Sequence, residues 1–243
     1  MKVYWWEYLL LIIAVIYIYV LFDMYFNAPN IEKYIKGNQD ISWTSYKEFL
    51  EKADNGDLIL LSGDSKGERT CRWATNCVFS HVGMVFREKD VKTGESKLYI
   101  WEADIGQRSK PGPRIMVLDD KLSRYKGFKI MGWTPLIKGK RPSKESILKL
   151  VPKYHHKEID NWMLVWLLPN YSIFNNIKKD RKTVFCGELV ADSLQDLGIL
   201  DRSIPAANYS PKDFHILPFK ESDQKPKGLS KDFIYSQTIF IEF

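Results

Sequence analysis

A nearly uninterrupted apolar run at the N-terminus constrains this chain more than any other feature. Tyr8 to Phe22 carries no charge, and Val3-Tyr4-Trp5-Trp6 extends the run across Glu7. From Val3 to Phe26 the only charges are Glu7 and Asp23. A helix of roughly 20 residues crosses the hydrocarbon core of a bilayer. Trp5, Trp6, Tyr25 and Phe26 stand near the two ends of the run, where aromatic side chains favour the headgroup level. Glu7 lies close enough to one end to reach the headgroups. A cleaved signal peptide would need small residues at two nearby positions, and Phe26, Ala28 and Pro29 make a poor site. The run is therefore expected to be an uncleaved, single-pass membrane anchor. Lys2 and the α-amine precede it, while Lys33 and Lys36 follow it beside Asp23 and Glu32. That balance leaves the orientation across the membrane open.

Without the anchor and its connection, a little over 200 of the 243 residues remain, enough for one soluble domain with a real core. A hydrophobic share of 45% excludes general disorder. The formal charge of +6 suits an anionic membrane surface or an acidic substrate. No zinc-finger or RNP-like motif and no patch of interleaved Arg and aromatic residues occurs, so no nucleic-acid partner is expected. Gly63-Asp64-Ser65-Lys66-Gly67 lacks the spacing of a phosphate-binding loop.

Phe185-Cys186-Gly187-Glu188-Leu189-Val190 carries the clearest chemical signal. Leu189, Val190, Leu194 and Leu197 recur with a helical period, and Gly198 suits a C′ stop. Cys186 thus falls at the start of an amphipathic helix, where backbone N–H groups and the helix dipole favour a thiolate. A buried core cysteine would fit the same segment, so a base must be found elsewhere. His81 is the best candidate. Val82, Met84 and Phe86 alternate with His81, Gly83 and Val85, as in a strand, and Gly83 permits close approach of a backbone or a substrate. Lys97 to Ala103 reads as a second strand, with Asp90 to Ser96 as the hairpin loop between them. On neighbouring antiparallel strands, Glu102 would orient the His81 ring and favour its imidazolium form.

The remaining segments sort coarsely. Asn27 to Gln39 reads as a polar connection, Ser45 to Ala53 as a short helix, and Asn55-Gly56-Asp57 as a turn before a buried strand, Leu58 to Leu61. Lys110 to Arg114 reads as a loop, Ile115 to Leu118 as a strand, Leu122 to Lys126 as a turn and Phe128 to Trp133 as a strand. Ser143 opens a helix with Ile147, Leu148 and Val151 on one face. Trp162 to Leu168 is too short to span a bilayer and is expected in the core rather than in an acyl groove. Phe233 to Phe243 is expected to close a sheet edge, after a polar tail. His155 and His156 lie in a solvated stretch, and His215 is expected to be structural. Cys71 and Cys77 are separated by five residues with no matching Cys or His pair, so neither a metal nor any cofactor is implied. The two are free, or form a disulfide if the domain faces an oxidising space.

Taken in order, these blocks resemble the circularly permuted papain-like cysteine hydrolases, the permuted branch of the NlpC-type amidase superfamily. The likeness runs from about Gly56 to Phe214. It is carried by Gly56-Asp57-Leu58-Ile59-Leu60-Leu61, Ser80-His81-Val82-Gly83, Trp101-Glu102-Ala103, Phe185-Cys186-Gly187-Glu188-Leu189-Val190 and Ser210-Pro211-Lys212-Asp213-Phe214. Here histidine precedes cysteine, the reverse of the unpermuted order; space rather than chain order defines such a constellation. The resemblance implies an α+β fold with an antiparallel sheet and packed helices. It implies Cys186 as nucleophile, His81 as base and Glu102 as orienter, acting on a peptide, amide or lipid-ester substrate. The expected plan is an anchor over 1–26, a linker over 27–44, a catalytic domain over 45–220, and a polar segment with a C-terminal strand over 221–243. Three functions are compatible with it: a thiol amidase or peptidase, a lipid-directed acyltransferase or lipase, and a catalytically inactive tethered binding module. The Trp-, Cys- and Arg-rich stretch from Cys71 to Phe79 and the long insert from Pro142 to Arg181 depart from the family pattern and bear on substrate choice.

Overall fold

A computed structural model describes residues 5–89, 94–104, 111–124, 127–159, 182–217 and 226–242. The chain opens with α1, Trp5–Asn27, whose large apolar side chains are exposed along its length. By length and composition the stretch Tyr8–Asn27 can cross a membrane, a test that a signal sequence also passes. The next segment is no simple polar connection. Asn30 caps α2, Ile31–Gly37, by accepting the Lys33 N–H at 2.9 Å, and Ile31 is buried.

A mixed α+β domain follows. Its strands and helices are β1 Trp43–Ser45, α3 Tyr46–Lys52, β2 Leu58–Gly63, α4 Lys66–Thr75, β3 His81–Lys89, β4 Ser96–Asp104, β5 Gly112–Val117, α5 Leu118–Arg124 and β6 Phe128–Thr134. They continue with β7 Leu136–Lys138, α6 Lys144–Leu148, α7 Val151–Tyr154, β8 Glu158–Ile159, β9 Thr183–Val184, α8 Cys186–Asp196, β10 Ile234–Tyr235 and β11 Ile239–Glu242. The main sheet has the order β1-β11-β6-β2-β3-β4-β5 and is antiparallel except for the β1–β11 pair.

Strand alternation divides the core between the two faces of this sheet. Leu58, Leu60, Val82, Met84, Trp101 and Ala103 pack with Leu189, Val190 and Leu194 of α8 on one face. Ile59, Leu61, Val85, Ile100 and Met131 pack with Phe49 of α3 and Leu118 of α5 on the other. The strand expected after Asn55-Gly56-Asp57 is fully buried on both faces. Asp57 fixes its start. Oδ1 accepts the Leu136 N–H at 2.9 Å and Arg141 at 2.6 Å, and Oδ2 accepts Trp133 Nε1 at 2.9 Å.

Four local expectations change. Residues 112–114 belong to β5 rather than to a loop; β5 is the outermost strand, a position where proline is tolerated. Residues 122–124 continue helix α5 rather than turn. Leu148 is exposed, whereas Ile147 on the same short helix is fully buried. The C-terminal strand is internal: β11 lies between β6 and β1, with Phe240 opposite Trp43 and Gly132. The strand over 239–242 therefore lies within the sheet, and β1, which begins at Trp43, is the edge strand beside it. The Trp162–Leu168 run and the tip of the loop beginning at Asp90 lie outside the described residues.

Candidate active site

His81 is the first residue of β3 and Glu102 lies near the end of β4, its antiparallel neighbour. The two side chains meet: His81 Nε2 donates to Glu102 Oε2 at 2.7 Å. Cys186 begins α8, and its sulfur lies near enough to the same ring to raise the ring's pKa. With Nε2 committed to Glu102, Nδ1 is the ring nitrogen left for the sulfur. The structure thus brings together Cys186, His81 and Glu102, three residues spread over more than 100 positions of chain.

Several features hold α8 in place. Trp101 Nε1, next to Glu102, donates to Ser193 Oγ at 2.9 Å inside the core. Tyr154 donates to Asp192 at 2.6 Å from the other side. Gly187 is needed for close approach, since a Cβ there would stand 2.5 Å from the Tyr209 carbonyl oxygen. That carbonyl precedes Ser210-Pro211-Lys212-Asp213-Phe214, which forms a 3-10 helix closed by a Ser210–Asp213 capping box. The N-cap residue of α8 is Phe185, whose side chain supplies no acceptor to the first N–H groups of the helix. The close approach at Gly83 is to a side chain rather than a substrate: its Cβ would lie 2.6 Å from Ile100 Cδ1.

Glu102 is fully buried and its second oxygen is also occupied. Lys121 of α5 donates to Oε1 at 2.9 Å and Arg114 Nε donates to it at 3.2 Å. Both cations also bond Asp104, two residues further along β4. Two carboxylates and two cations so form a buried, internally neutral quartet behind the imidazole. Its members Arg114, Lys121 and Asp104 had escaped notice in the sequence. The available signal was Asp104 itself, a second carboxylate two residues after Glu102 on the same face of the strand.

The electrostatics follow from this arrangement. Burial alone would drive the His81 pKa down; the neighbouring Cys186 sulfur, the bond to Glu102 and their negative charges overcome it and raise it to about 10. Burial pushes Glu102 upward, but His81 and Lys121 more than offset this and hold it at about 2. Glu102 therefore stays anionic, and the ring is strongly inclined to carry a proton. About 15% of the His81 side chain remains exposed and Cys186 is 6% exposed.

Of the other cysteines and histidines, only Cys71 comes near this constellation, close enough for the Cys186 sulfur to add to the burial that pushes its pKa well up. All three cysteines are free thiols. Cys71 Sγ donates to the Ser80 carbonyl at 3.3 Å, and Cys77 Sγ lies 3.7 Å from His215 Nδ1. His155 and His156 are exposed. Among the described residues no group of three His, Cys, Asp or Glu side chains gathers that could hold a metal ion.

No family model and no curated protein matches the chain. Among solved structures it is similar to the metalloprotein YiiX of Escherichia coli O157:H7, at 19% identity over 76% of this chain and 97% of that one, with a TM-score of 0.41.

Proposed function

We propose that this chain is a membrane-anchored thiol hydrolase of amide or peptide bonds, built on a permuted papain-like domain. What supports the reading is one observation: a thiol at a helix start, an imidazole and a buried carboxylate converge in the order Cys186–His81–Glu102. In the forward step His81 takes the Cys186 proton, and the thiolate attacks the substrate carbonyl carbon. The C–N bond then breaks as the imidazolium gives its proton to the leaving nitrogen. Water, deprotonated by the same ring, releases the acyl group from sulfur. Glu102 keeps the ring oriented and its charge compensated throughout. A backbone N–H at the start of α8, such as that of Cys186, suits the oxyanion; such a donor contributes about 3 kcal/mol.

An electrophilic thiol probe tests this on the intact chain. Labelling should concentrate on Cys186, vanish in Cys186→Ala and fall sharply in His81→Ala. Equal labelling of all three cysteines would instead favour a tethered binding module without chemistry. A lipid-directed acyltransferase or lipase is the second reading. It is favoured by the close docking of the apolar helix α1 onto α4, whose Cys71 bonds the carbonyl next to His81. Acyl transfer to Cys186 from lipid vesicles but not from peptides would select it.

A further inference from the structure

The chain leaves α1 through a joint rather than a loose tether. Trp73 Nε1 of α4 donates to Asp23 Oδ2 at 2.7 Å, and Thr70 Oγ1, which donates to the Lys66 carbonyl at 2.8 Å, lies 3.0 Å from Met24 Sδ. The Arg69 guanidinium lies 5.2 Å from the Tyr25 ring centroid, and Arg72 Nε donates to the Pro29 carbonyl at 3.1 Å. These contacts fix the end of the apolar helix against the sheet domain.

Beside the joint lies a cavity of about 290 Å³. Phe26, Ile31 and Ile35 give it apolar walls. Its charges are unequal. Arg72 is consumed by bonds to Pro29, Ser62, Gly63 and Asp64, and its pair with Asp64 is neutral. Arg69 and Lys129 form no ion pair among the described residues, and both line the cavity. Glu32 is the one carboxylate of the lining outside the Arg72 pair. A positive charge is therefore left over.

Depth identifies what would meet it. The 23 residues of α1 rise about 35 Å at 1.5 Å each, against a hydrocarbon core about 30 Å thick. The uncharged stretch ends at Asp23. Tyr25, Phe26 and the cavity they border come out at the level where phosphates lie. Guanidinium binds phosphate oxygens in a planar fork, and ammonium binds them as a point charge.

We infer that this cavity holds the phosphate of an anionic phospholipid headgroup, with Arg69 and Lys129 as its two ligands. The site rests on the membrane-spanning part of the functional reading and is independent of the chemistry at Cys186. It would seat the catalytic domain at a set height and rotation on the bilayer, because the joint leaves the cavity little freedom relative to the span.

The test uses the full chain, first incorporated into phosphatidylcholine vesicles and then released into detergent with equimolar phosphatidylglycerol and phosphatidylcholine. Native mass spectrometry counts the lipid retained. The wild type should hold phosphatidylglycerol roughly tenfold over phosphatidylcholine, in line with the strength of one or two lysine–lipid contacts. Arg69→Gln/Lys129→Gln should lose that preference, and the exposed Lys129→Gln alone, which threatens no core contact, should lose part of it. Glu32→Gln should strengthen it. Retention unchanged in the double variant overturns the site while leaving the span intact. Displacement of the lipid by millimolar inorganic phosphate overturns the lipid as occupant and makes the ligand a free phosphate. Failure of the wild type to enter vesicles overturns the spanning reading and the headgroup site with it.

Discussion

Cys186 meets His81 at the start of α8, and Cys77 meets His215 behind the 3-10 helix Pro211–Phe214. Both pairs join a buried thiol to an imidazole, yet their charge states diverge. His81 is raised to about 10, whereas burial lowers His215 to about 4. Burial also pushes the Cys77 thiol up to about 12. The difference lies in the sulfur each ring meets and in what stands behind it: the Cys186 sulfur and Glu102 both raise His81, and only burial acts on His215. Glu102 stands behind His81. Tyr34 Oη, at 3.4 Å, faces Nε2 of His215, and Phe79 packs edge-on against that ring at 4.9 Å between centroids. A hydroxyl and aromatic edges cannot compensate an imidazolium, so the second pair stays neutral and inert. Proximity of sulfur to imidazole alone therefore does not set the charge of the ring in this fold; at His81 the Cys186 sulfur acts together with a buried carboxylate behind the imidazole.

The largest expected effect separates the two thiols directly. Cys186→Ala should reduce hydrolysis and thiol-probe labelling by on the order of 10⁴-fold, read by intact-protein mass at pH 7. Cys77→Ala should leave both within about twofold. Next in size is Glu102→Gln, which gives His81 a neutral partner and so imposes the condition of His215. It should cost about 10³-fold in rate. The His81 ring, followed by NMR, should then titrate clearly below about 10. Lys121 and Arg114, left facing an amide, would add to that fall. A ring that still titrates near 10 in Glu102→Gln would remove the carboxylate from its assigned part.

The contrast explains what could and could not be seen in the sequence. Cys186 and His81 were visible because each begins a regular element whose period is written in its neighbours: Leu189, Val190 and Leu194 for α8, and Val82, Met84 and Phe86 for β3. Glu102 followed from strand pairing. The quartet behind it was hidden because Lys121 belongs to a segment that reads as a turn entrance, and Arg114 to one that reads as a Pro-Gly-Pro loop. Their burial depends on β5 and α5 folding over the end of β4, a tertiary event with no local signature. The Cys77–His215 pair was hidden for the same reason: its members lie 138 positions apart and only packing joins them. The internal position of β11 was missed because a weakly alternating tail looks alike at an edge or in the middle of a sheet.

A smaller effect tests whether the quartet tunes His81 or merely packs. Lys121→Met removes a cation from Glu102 and should raise the His81 pKa; Asp104→Asn removes an anion and should lower it. Each shift should be about one unit, with rates changed by roughly tenfold. The doubly substituted chain should return toward the wild-type titration even if its stability is lower. Packing alone gives no reason for opposite shifts, so two shifts of the same sign would reduce the quartet to a structural support.

The smallest effect concerns stability, where the two histidines should act on opposite sides of neutral pH. The folded-state pKa of His81, about 10, lies above the ordinary value of 6.5. Its contribution is complete below about pH 6.5 and is lost as pH rises toward 10. The folded-state pKa of His215, about 4, lies below 6.5. Its contribution is complete above about pH 6.5 and is lost as pH falls toward 4, because the unfolded chain then binds the extra proton. The amount at stake for His215 is up to about 3 kcal/mol. Urea midpoints measured between pH 4 and 6.5 should fall with acid in the wild type and fall less steeply in His215→Gln. His81→Gln should leave that acid slope unchanged and flatten the decline above pH 7. If the acid slope persists in His215→Gln, the second imidazole is not the neutral, buried group that the comparison with His81 requires.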